Sequence, residues 1–146
     1  RLSLEHLVCD FNGTLACDGC LLPEAAALLP RLSEQVQIHV ITADTFGNAA
    51  HELRDVPADL SILPAGYQKE AKKDFILSLG RERTASVGNG RNDALMLRQS
   101  VLGICVMLEE GAAAETLKNA DIFCRSIQDA LGLFLFPRRL TAVLRD

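Results

Sequence analysis

Polar residues suited to phosphoryl and metal chemistry follow directly after several apolar runs of the chain. The residues at the ends of three such runs are Asp10, Asn12, Thr14, Thr42, Asp44, Asn89, Asn92 and Asp93. Carboxylates flanked by amide oxygens suit a hard cation such as Mg²⁺. A carboxylate beside such an ion can also act as a nucleophile and form an aspartyl-phosphate. These residues therefore predict chemistry on a phosphorylated substrate.

Holding a phosphoryl group requires hydrogen-bond donors and a positive charge. We expect the phosphoryl oxygens to be bound by Gly13, Thr42, Ala43 and Asn92, together with a lysine. The segment QKEAKKDFI offers three candidates at the start of a predicted helix: Lys69, Lys72 and Lys73.

The elements that would position these residues alternate along the chain. Apolar runs such as QIHVIT and LGICVML are separated by segments with a helical period, such as PEAAALLPRL and KKDFILSL. This alternation predicts a Rossmann-like α/β fold, a three-layer sandwich with a mainly parallel central sheet. Ligands of such sheets bind beyond the carboxyl ends of the strands, where the polar residues lie.

Length and composition indicate the number of domains and exclude some classes of partner. The 146 residues predict a single domain, residues 1–146, and 49% are hydrophobic, enough for one core. The net charge is −4 without a large basic cluster, which argues against nucleic acid as a partner. The apolar runs are too short to span a bilayer, so we expect no membrane association.

Two of the five cysteines, Cys17 and Cys20, form a CxxC in the segment LACDGCLL. One interpretation is a redox pair or half of a zinc site. The other is a β-hairpin with Asp18-Gly19 as its two-residue turn, which leaves the cysteines as facing neighbours. The remaining cysteines lie mostly in apolar runs, which is typical of reduced thiols and favours the cytoplasm.

Four motifs together resemble the haloacid dehalogenase (HAD) superfamily, and within it the P-type ATPases. DFNGTL is similar to the DxDGT and DKTGT motifs, ITADT to ITGDN, and VGNGRNDALML to VGDGxNDxxAL. LGICVMLEEGAAAETLKNADIFC resembles the segment that follows the last motif. The likeness covers about residues 7 to 124, and four motifs in the same order are far more specific than one.

The resemblance implies a role for each matching residue. Asp10 would be the phosphorylated nucleophile, while Thr42 and Lys72 would hold the phosphoryl group. A Mg²⁺ ion would be bound by Asp10, the backbone carbonyl of Asn12, Asn89 and Asp93. Asp44 matches the acid of the TGD motif.

Two asparagines depart from the family pattern. Asn12 replaces the acid that hydrolytic members use as general acid and base, a contribution of about 10²–10⁴-fold. We therefore expect slow turnover, with Asp44 as a hypothetical substitute. Asn89 replaces a Mg²⁺-binding aspartate, which removes one negative charge and predicts weaker Mg²⁺ binding unless phosphate supplies that charge.

The segments between the motifs leave no room for a cap or a nucleotide-binding domain, so the resemblance implies a capless member that is not an ion pump. An open site of this kind would be covered by a neighbouring subunit, which predicts a homo-oligomer. The first hypothesis is a Mg²⁺-dependent phosphohydrolase or phosphotransferase. The alternative is a catalytically reduced module that binds phosphate or a partner and has a regulatory role.

Overall fold

The central feature of the computed structural model is a six-stranded parallel sheet. The structure describes residues 2–43 and 47–146. In chain order the sheet strands are β1 (His6–Asp10), β4 (Gln37–Thr42), β5 (Asp59–Ile62), β6 (Thr84–Gly88), β7 (Leu102–Val106) and β8 (Ile122–Cys124). In space they are ordered β5-β4-β1-β6-β7-β8. The predicted parallel α/β architecture is confirmed.

A short antiparallel hairpin follows β1. It consists of β2 (Ala16–Cys17) and β3 (Cys20–Leu21), with Cys17 paired opposite Cys20. Asp18 and Gly19 form the turn with φ angles of 50° and 81°, which is the left-handed conformation that two-residue hairpin turns require. The hairpin interpretation of the CxxC segment is therefore confirmed.

Seven helices are described. They are α1 (Pro23–Leu32), α2 (Asn48–Glu52), α3 (Gln68–Leu79), α4 (Ala94–Gln99), α5 (Ala114–Lys118), α6 (Ile127–Leu135) and α7 (Pro137–Leu144). Short 3-10 turns precede β6 and α4 at Arg81–Arg83 and Arg91–Asp93. Pro137 begins α7 and so divides the C-terminal apolar stretch, as its fixed φ angle predicts.

The helices cover both faces of the sheet. Helix α1 packs against α6 on one face, where the larger apolar cluster includes Leu29, Val40 and Leu131. On the other face, where Ile76 and Leu97 are buried, α3 packs against α4. Strands covered on both faces are apolar along their whole length, which explains the continuous apolar runs of the sequence.

The chain changes direction next to β1. It passes from β1 to β4 and β5 on one side of β1, then returns through α3 to β6 on the other side. Loops that leave two neighbouring strands in opposite directions open a crevice at their carboxyl ends. Asp10 ends β1 at this crevice, and Asn89 follows β6 directly.

No helix in the described part of the chain is long and apolar enough to cross a membrane.

Candidate active site

A buried lysine joins two carboxylates at the crevice. Lys72 Nζ lies 2.9 Å from Asp10 Oδ1 and 2.7 Å from Asp93 Oδ1, and it donates to Asn92 Oδ1 at 3.2 Å. Lys72 is 1% exposed, Asp10 8% and Asp93 0%. Removing charges from water is costly unless they are paired. The lysine therefore compensates two carboxylates that would otherwise repel each other.

Helix α3 places only one of the three candidate lysines, Lys72, in the crevice. Lys72 lies on the buried face of the helix with Ile76, four residues later. Lys69 instead forms an ion pair with Glu115, and Lys73 lies 3.9 Å from Asp74 in a largely exposed contact. The periodicity of the helix thus places one lysine in the site and leaves two outside it.

The second oxygen of Asp10 faces a different group of polar atoms. Thr14 Oγ1 lies 3.4 Å from Asp10 Oδ2 and 3.2 Å from Asn89 Oδ1, so the hydroxyl bridges the loops after β1 and β6. Asn89 Nδ2 donates to the carbonyl of Gly111 at 3.1 Å, which orients the amide oxygen toward Thr14. Asp10 Oδ2 and Asn89 Oδ1 are therefore hard oxygen donors on the same side of the crevice.

Two glycines permit this close approach of the loops. A Cβ atom on Gly13, whose φ is +79°, would lie 2.3 Å from Asn89 Nδ2. On Gly88 it would lie 2.6 Å from the Asp93 carboxylate. Such distances are shorter than any non-bonded contact, so a larger residue at either position would displace a side chain of the site.

The Asp93 carboxylate is fully engaged by donors of the protein. Its Oδ1 binds Lys72, and its Oδ2 accepts hydrogen bonds from the N–H groups of Asn89 and Gly90, both at 3.0 Å. Asp93 is thus arranged to position Lys72 and the loop after β6. It is a weaker candidate for a metal ligand than the sequence predicts.

Electrostatics in the crevice follow from burial and from the three neighbouring charges. Burial, with a smaller contribution from Asp93, raises the pKa of Asp10 to about 7, although Lys72 opposes this shift. For Lys72 burial alone would lower the pKa, but Asp10 and Asp93 outweigh it and the net pKa is raised. The lysine is therefore cationic at neutral pH, and a further positive charge such as a metal ion would favour the ionised form of Asp10.

The remaining predicted residues are placed as follows. Thr42 is buried at the end of β4, and Ala43 follows it. Asn12 is exposed at the mouth of the crevice, where its backbone forms a bridge with Ala16. Asp44 lies outside the described residues.

The candidate active-site crevice also includes Thr14, Gly111 and the loop after β7. The sequence analysis assigned no role to Gly111 or to this loop. The segment MLEEG follows β7 at the edge of the sheet that carries the site. A run of acidic residues and a glycine after a buried strand is the feature that could have identified this loop.

The fold and the sequence each have known relatives. A putative HAD subfamily III A hydrolase from Legionella pneumophila superposes with a TM-score of 0.77 at 17% identity, covering 97% of this chain and 87% of that one. The 3-deoxy-D-manno-octulosonate 8-phosphate phosphatase from Moraxella catarrhalis, solved with magnesium and phosphate ions, gives 0.76 at 14% identity, with 96% and 93% covered. A soluble P-type ATPase-like phosphatase from Methanocaldococcus jannaschii is 25% identical over 135 residues. The chain thus has the fold of HAD superfamily hydrolases, and its sequence is similar to that of a P-type ATPase-like phosphatase.

Coverage differs among the sequence relatives. This chain matches 91% of an uncharacterized protein from M. jannaschii, at 41% identity over 85 residues, or 56% of its own length. The alignment with the P-type ATPase-like phosphatase includes 90% of this chain but only half of that protein. No family model matches the chain. The HAD resemblance of the four motifs therefore agrees with the comparisons of whole chains.

Proposed function

We propose that the chain is a Mg²⁺-dependent HAD-type phosphohydrolase or phosphotransferase in which Asp10 is the nucleophile. The main observation in support of the proposal is that Lys72 lies within 3 Å of both Asp10 and Asp93. All three side chains are buried in the crevice where the chain changes direction next to β1. A well-packed apolar group is often at least as stable as a buried ion pair. This triad of Asp10, Lys72 and Asp93 therefore fits a chemical role better than a structural one.

The transfer step follows from the placement of these groups. A carboxylate oxygen of Asp10 attacks phosphorus, the new O–P bond forms, and the bond to the leaving oxygen breaks with its electron pair. Lys72 neutralises charge on the phosphoryl oxygens, and Asp93 holds Lys72 in place. Thr42, with the backbone of Gly13 and Ala43 and the amide of Asn92, would bind the same oxygens.

The donors present fit a Mg²⁺ ion that shares its site with phosphate. The ion would be bound by Asp10 Oδ2 and Asn89 Oδ1, which both contact the Thr14 hydroxyl, together with the Asn12 carbonyl. Asp93 could become a further ligand only by giving up its present hydrogen bonds. When bound, the ion would supply Lewis acidity and favour the ionised form of Asp10. Since Asn89 contributes no charge, we expect phosphate to strengthen binding of the ion.

The leaving group must depart without a proton from Asn12, because an amide cannot act as a general acid at neutral pH. Among the described residues, the other carboxyl group at the triad is Asp93, which is fully engaged. Acyl phosphates and aryl phosphates release stable anions and would still react. Alkyl phosphates would react slowly unless Asp44 replaces the missing acid.

Several further properties remain proposals. The substrate would be a phosphorylated small molecule or macromolecule, since the crevice is open and no cap is inserted between the motifs. A second subunit would cover the open site in a homo-oligomer. All five cysteines are free, which supports a cytoplasmic location.

The alternative is a phosphate- or partner-binding regulatory module on the same fold. Two observations favour it, namely asparagine at position 12 and asparagine at position 89. A binding module does not require the Asp10–Lys72 contact, so phosphorylation of Asp10 separates the two functions.

The test is intact-mass spectrometry after incubation with acetyl phosphate and Mg²⁺. Acetyl phosphate is the appropriate donor because acetate leaves without a proton. A phosphoryl adduct on the wild-type chain that is absent from Asp10→Asn supports the proposal. Phosphate release that is lost in Asp10→Asn also supports it, and indicates fast hydrolysis of the intermediate. Neither adduct nor release with acetyl phosphate and with an aryl phosphate would favour the binding module.

A further inference from the structure

A second group of reactive side chains lies outside the Lys72 triad, where the β2–β3 hairpin meets the turn after β7. The ligand atoms of Cys17, Asp18 and Glu110 all lie within 4.8 Å of one another. Cys17 Sγ contacts Glu109 Oε2 at 3.5 Å, and the backbone N–H of Asp18 donates to Glu110 Oε2 at 3.3 Å. Residues 92 positions apart in the chain are thus brought together at one place.

The hairpin supplies a second thiol to this group. Cys20 is paired directly opposite Cys17, so the Cβ atoms of the two cysteines lie on the same face of the hairpin, about 4.5–5.5 Å apart. Both cysteines are free. Two thiols separated by a two-residue turn form the chelating half of many zinc sites.

The facing turn supplies the carboxylates. Leu108 and Gly111 form a β-bridge that closes a tight turn, and Glu109 and Glu110 occupy its tip. The turn geometry holds both glutamates next to the hairpin. The two halves of the group are therefore fixed by two separate turns rather than by one flexible segment.

No close ion pair formed by residues that the structure describes compensates these carboxylates, although Arg125 lines the same pocket as Cys17 and Glu109. Within residues 2–43 and 47–146, no ion pair includes Asp18, Glu109 or Glu110. Three acidic side chains near Cys17, with Cys20 paired opposite it in the hairpin, provide the charge and the soft donors that a transition-metal cation prefers.

We propose that Cys17, Cys20 and Glu110, with Asp18 or Glu109 as the fourth ligand, form a binding site for a borderline-soft divalent cation, of which Zn²⁺ is the best fit. Tetrahedral coordination by two thiolates and two carboxylate oxygens matches the preference of Zn²⁺. Each thiol releases its proton to solvent when the ion binds. Cys20 and the three carboxylates are exposed and Cys17 is half-buried, so rotation of these side chains toward one ion meets little steric hindrance.

The site would connect the hairpin to the phosphoryl-transfer crevice. Gly111 closes the turn that carries the glutamates, and its carbonyl accepts the hydrogen bond from Asn89 Nδ2. The hairpin begins two residues after Thr14, which contacts both Asp10 and Asn89. A bound cation would therefore hold two loops together at the mouth of the crevice.

The experiment is a titration of the reduced, chelator-treated chain with Zn²⁺, and separately with Co²⁺ as a spectroscopic probe. We expect a thiolate-to-cobalt charge-transfer absorbance that saturates at one thiolate-bound ion per chain, whereas an ion at the proposed Mg²⁺ site has only oxygen ligands and gives no such absorbance. Cys17→Ser and Cys20→Ser should each weaken binding at least about 10-fold and reduce this absorbance. Glu110→Gln should weaken binding by a similar factor and retain the absorbance.

Controls distinguish a built site from general attraction to an acidic protein. Glu82→Gln removes one negative charge from the opposite end of the sheet and should leave binding unchanged. Asp10→Asn should also bind normally, so the result is independent of the proposed phosphoryl transfer. Excess Mg²⁺ should not displace the cobalt signal, since thiolates bind Mg²⁺ poorly. Circular dichroism checks that each variant folds.

Three results would overturn the proposal. The first is the absence of a thiolate-to-cobalt absorbance that saturates at one ion per chain. The second is unchanged binding in Cys17→Ser and Cys20→Ser. The third is binding that is lost in the cysteine variants but unchanged in both Glu109→Gln and Glu110→Gln.

Discussion

The Lys72 side chain lies between two carboxylates that face each other in a buried crevice. Its removal leaves the negative charges of Asp10 and Asp93 uncompensated away from water. Breaking a buried ion pair by removing one partner costs about 3–5 kcal/mol of stability. The same lysine is the cation that the proposed phosphoryl transfer requires, so stability and activity depend on it together.

Replacement of Lys72 by methionine should therefore lower the free energy of unfolding by about 3–5 kcal/mol and abolish phosphorylation of Asp10. Urea denaturation and intact-mass spectrometry measure the two effects. The control is Lys69→Met on the same helix, which removes an ion pair whose members are partly exposed. That variant should cost no more than about 1 kcal/mol and retain phosphorylation. Equal effects of the two substitutions would contradict the assignment of Lys72.

Restoring an acid at position 12 is the complementary experiment. Asn12→Asp should raise the turnover of alkyl phosphates by about 10²–10⁴-fold, since a carboxyl group can donate a proton to the leaving oxygen. The gain with acetyl phosphate in the first step should be much smaller, because acetate needs no proton. Steady-state rates with both donors give the comparison, and equal gains would show that Asn12 does not limit proton transfer.

Position 89 determines the charge of the proposed metal site. Asn89→Asp would add a carboxylate beside Asp10 and should tighten Mg²⁺ binding in the absence of phosphate. Calorimetric titration with Mg²⁺, with and without inorganic phosphate, measures this. For the wild-type chain we expect weak binding that phosphate strengthens, and tight binding without phosphate would contradict that expectation.

At the scale of elements, the packing of α4 on the sheet depends on Gly103 in β7. A Cβ atom at this position would lie 2.3 Å from the backbone oxygen of Leu97. Backbone cannot rotate away as a side chain can, so helix and strand would have to separate. This contact explains why a glycine occupies the middle of a buried strand, where it has no propensity advantage.

Gly103→Ala should consequently destabilise the fold by about 1–3 kcal/mol, the usual cost of overpacking a core. The matched control is Gly132→Ala within α6. A Cβ atom there would meet only the end of the Arg139 side chain, at 3.4 Å. Alanine favours a helix over glycine by about 1 kcal/mol, so this variant should be more stable than the wild type. Thermal unfolding measures both effects, and a Gly103→Ala variant as stable as the wild type would contradict the prediction.

At the scale of the whole molecule, stability should depend on pH through His39. This residue is buried in β4, where its Nε2 lies 3.1 Å from His6 Nδ1 and its ring packs edge-on against Phe75. Burial, followed by the charge of His6, lowers the pKa of His39 below 6.5, and Asp59 opposes the shift. The folded chain therefore resists protonation of a group that the unfolded chain protonates more readily.

The direction in which His39 changes the free energy of unfolding with pH follows from proton linkage. Above pH 6.5 both states carry neutral His39 and no difference arises. As the pH falls below this value the unfolded state binds the proton first, so the contribution of His39 to the free energy of unfolding decreases. Protonation of Asp10 affects wild type and variant alike, so urea denaturation between pH 8 and pH 5 should show the wild type losing stability relative to His39→Gln as the pH falls. The exposed His51→Gln should behave like the wild type, and an identical pH profile in His39→Gln would contradict the prediction.

The sequence alone predicted the architecture and the location of the site. Apolar runs and helical periods are local patterns, and their alternation has few stable solutions other than a covered parallel sheet. Residues at the carboxyl ends of parallel strands must share one edge, so Asp10, Asn89 and Asp93 were expected together. The hairpin at Asp18-Gly19 was predictable for the same reason, because two-residue turns have strong local preferences.

Only the tertiary structure decided which side chains touch. The Lys72–Asp10 contact spans 62 residues of chain, and the Thr14–Asn89 contact spans 75. No local pattern specifies that Asp93 binds Lys72, or that Glu109 and Glu110 face the cysteines of the hairpin. Those contacts arise from the packing of α3 and from loop conformations, which depend on the whole chain rather than on neighbouring residues.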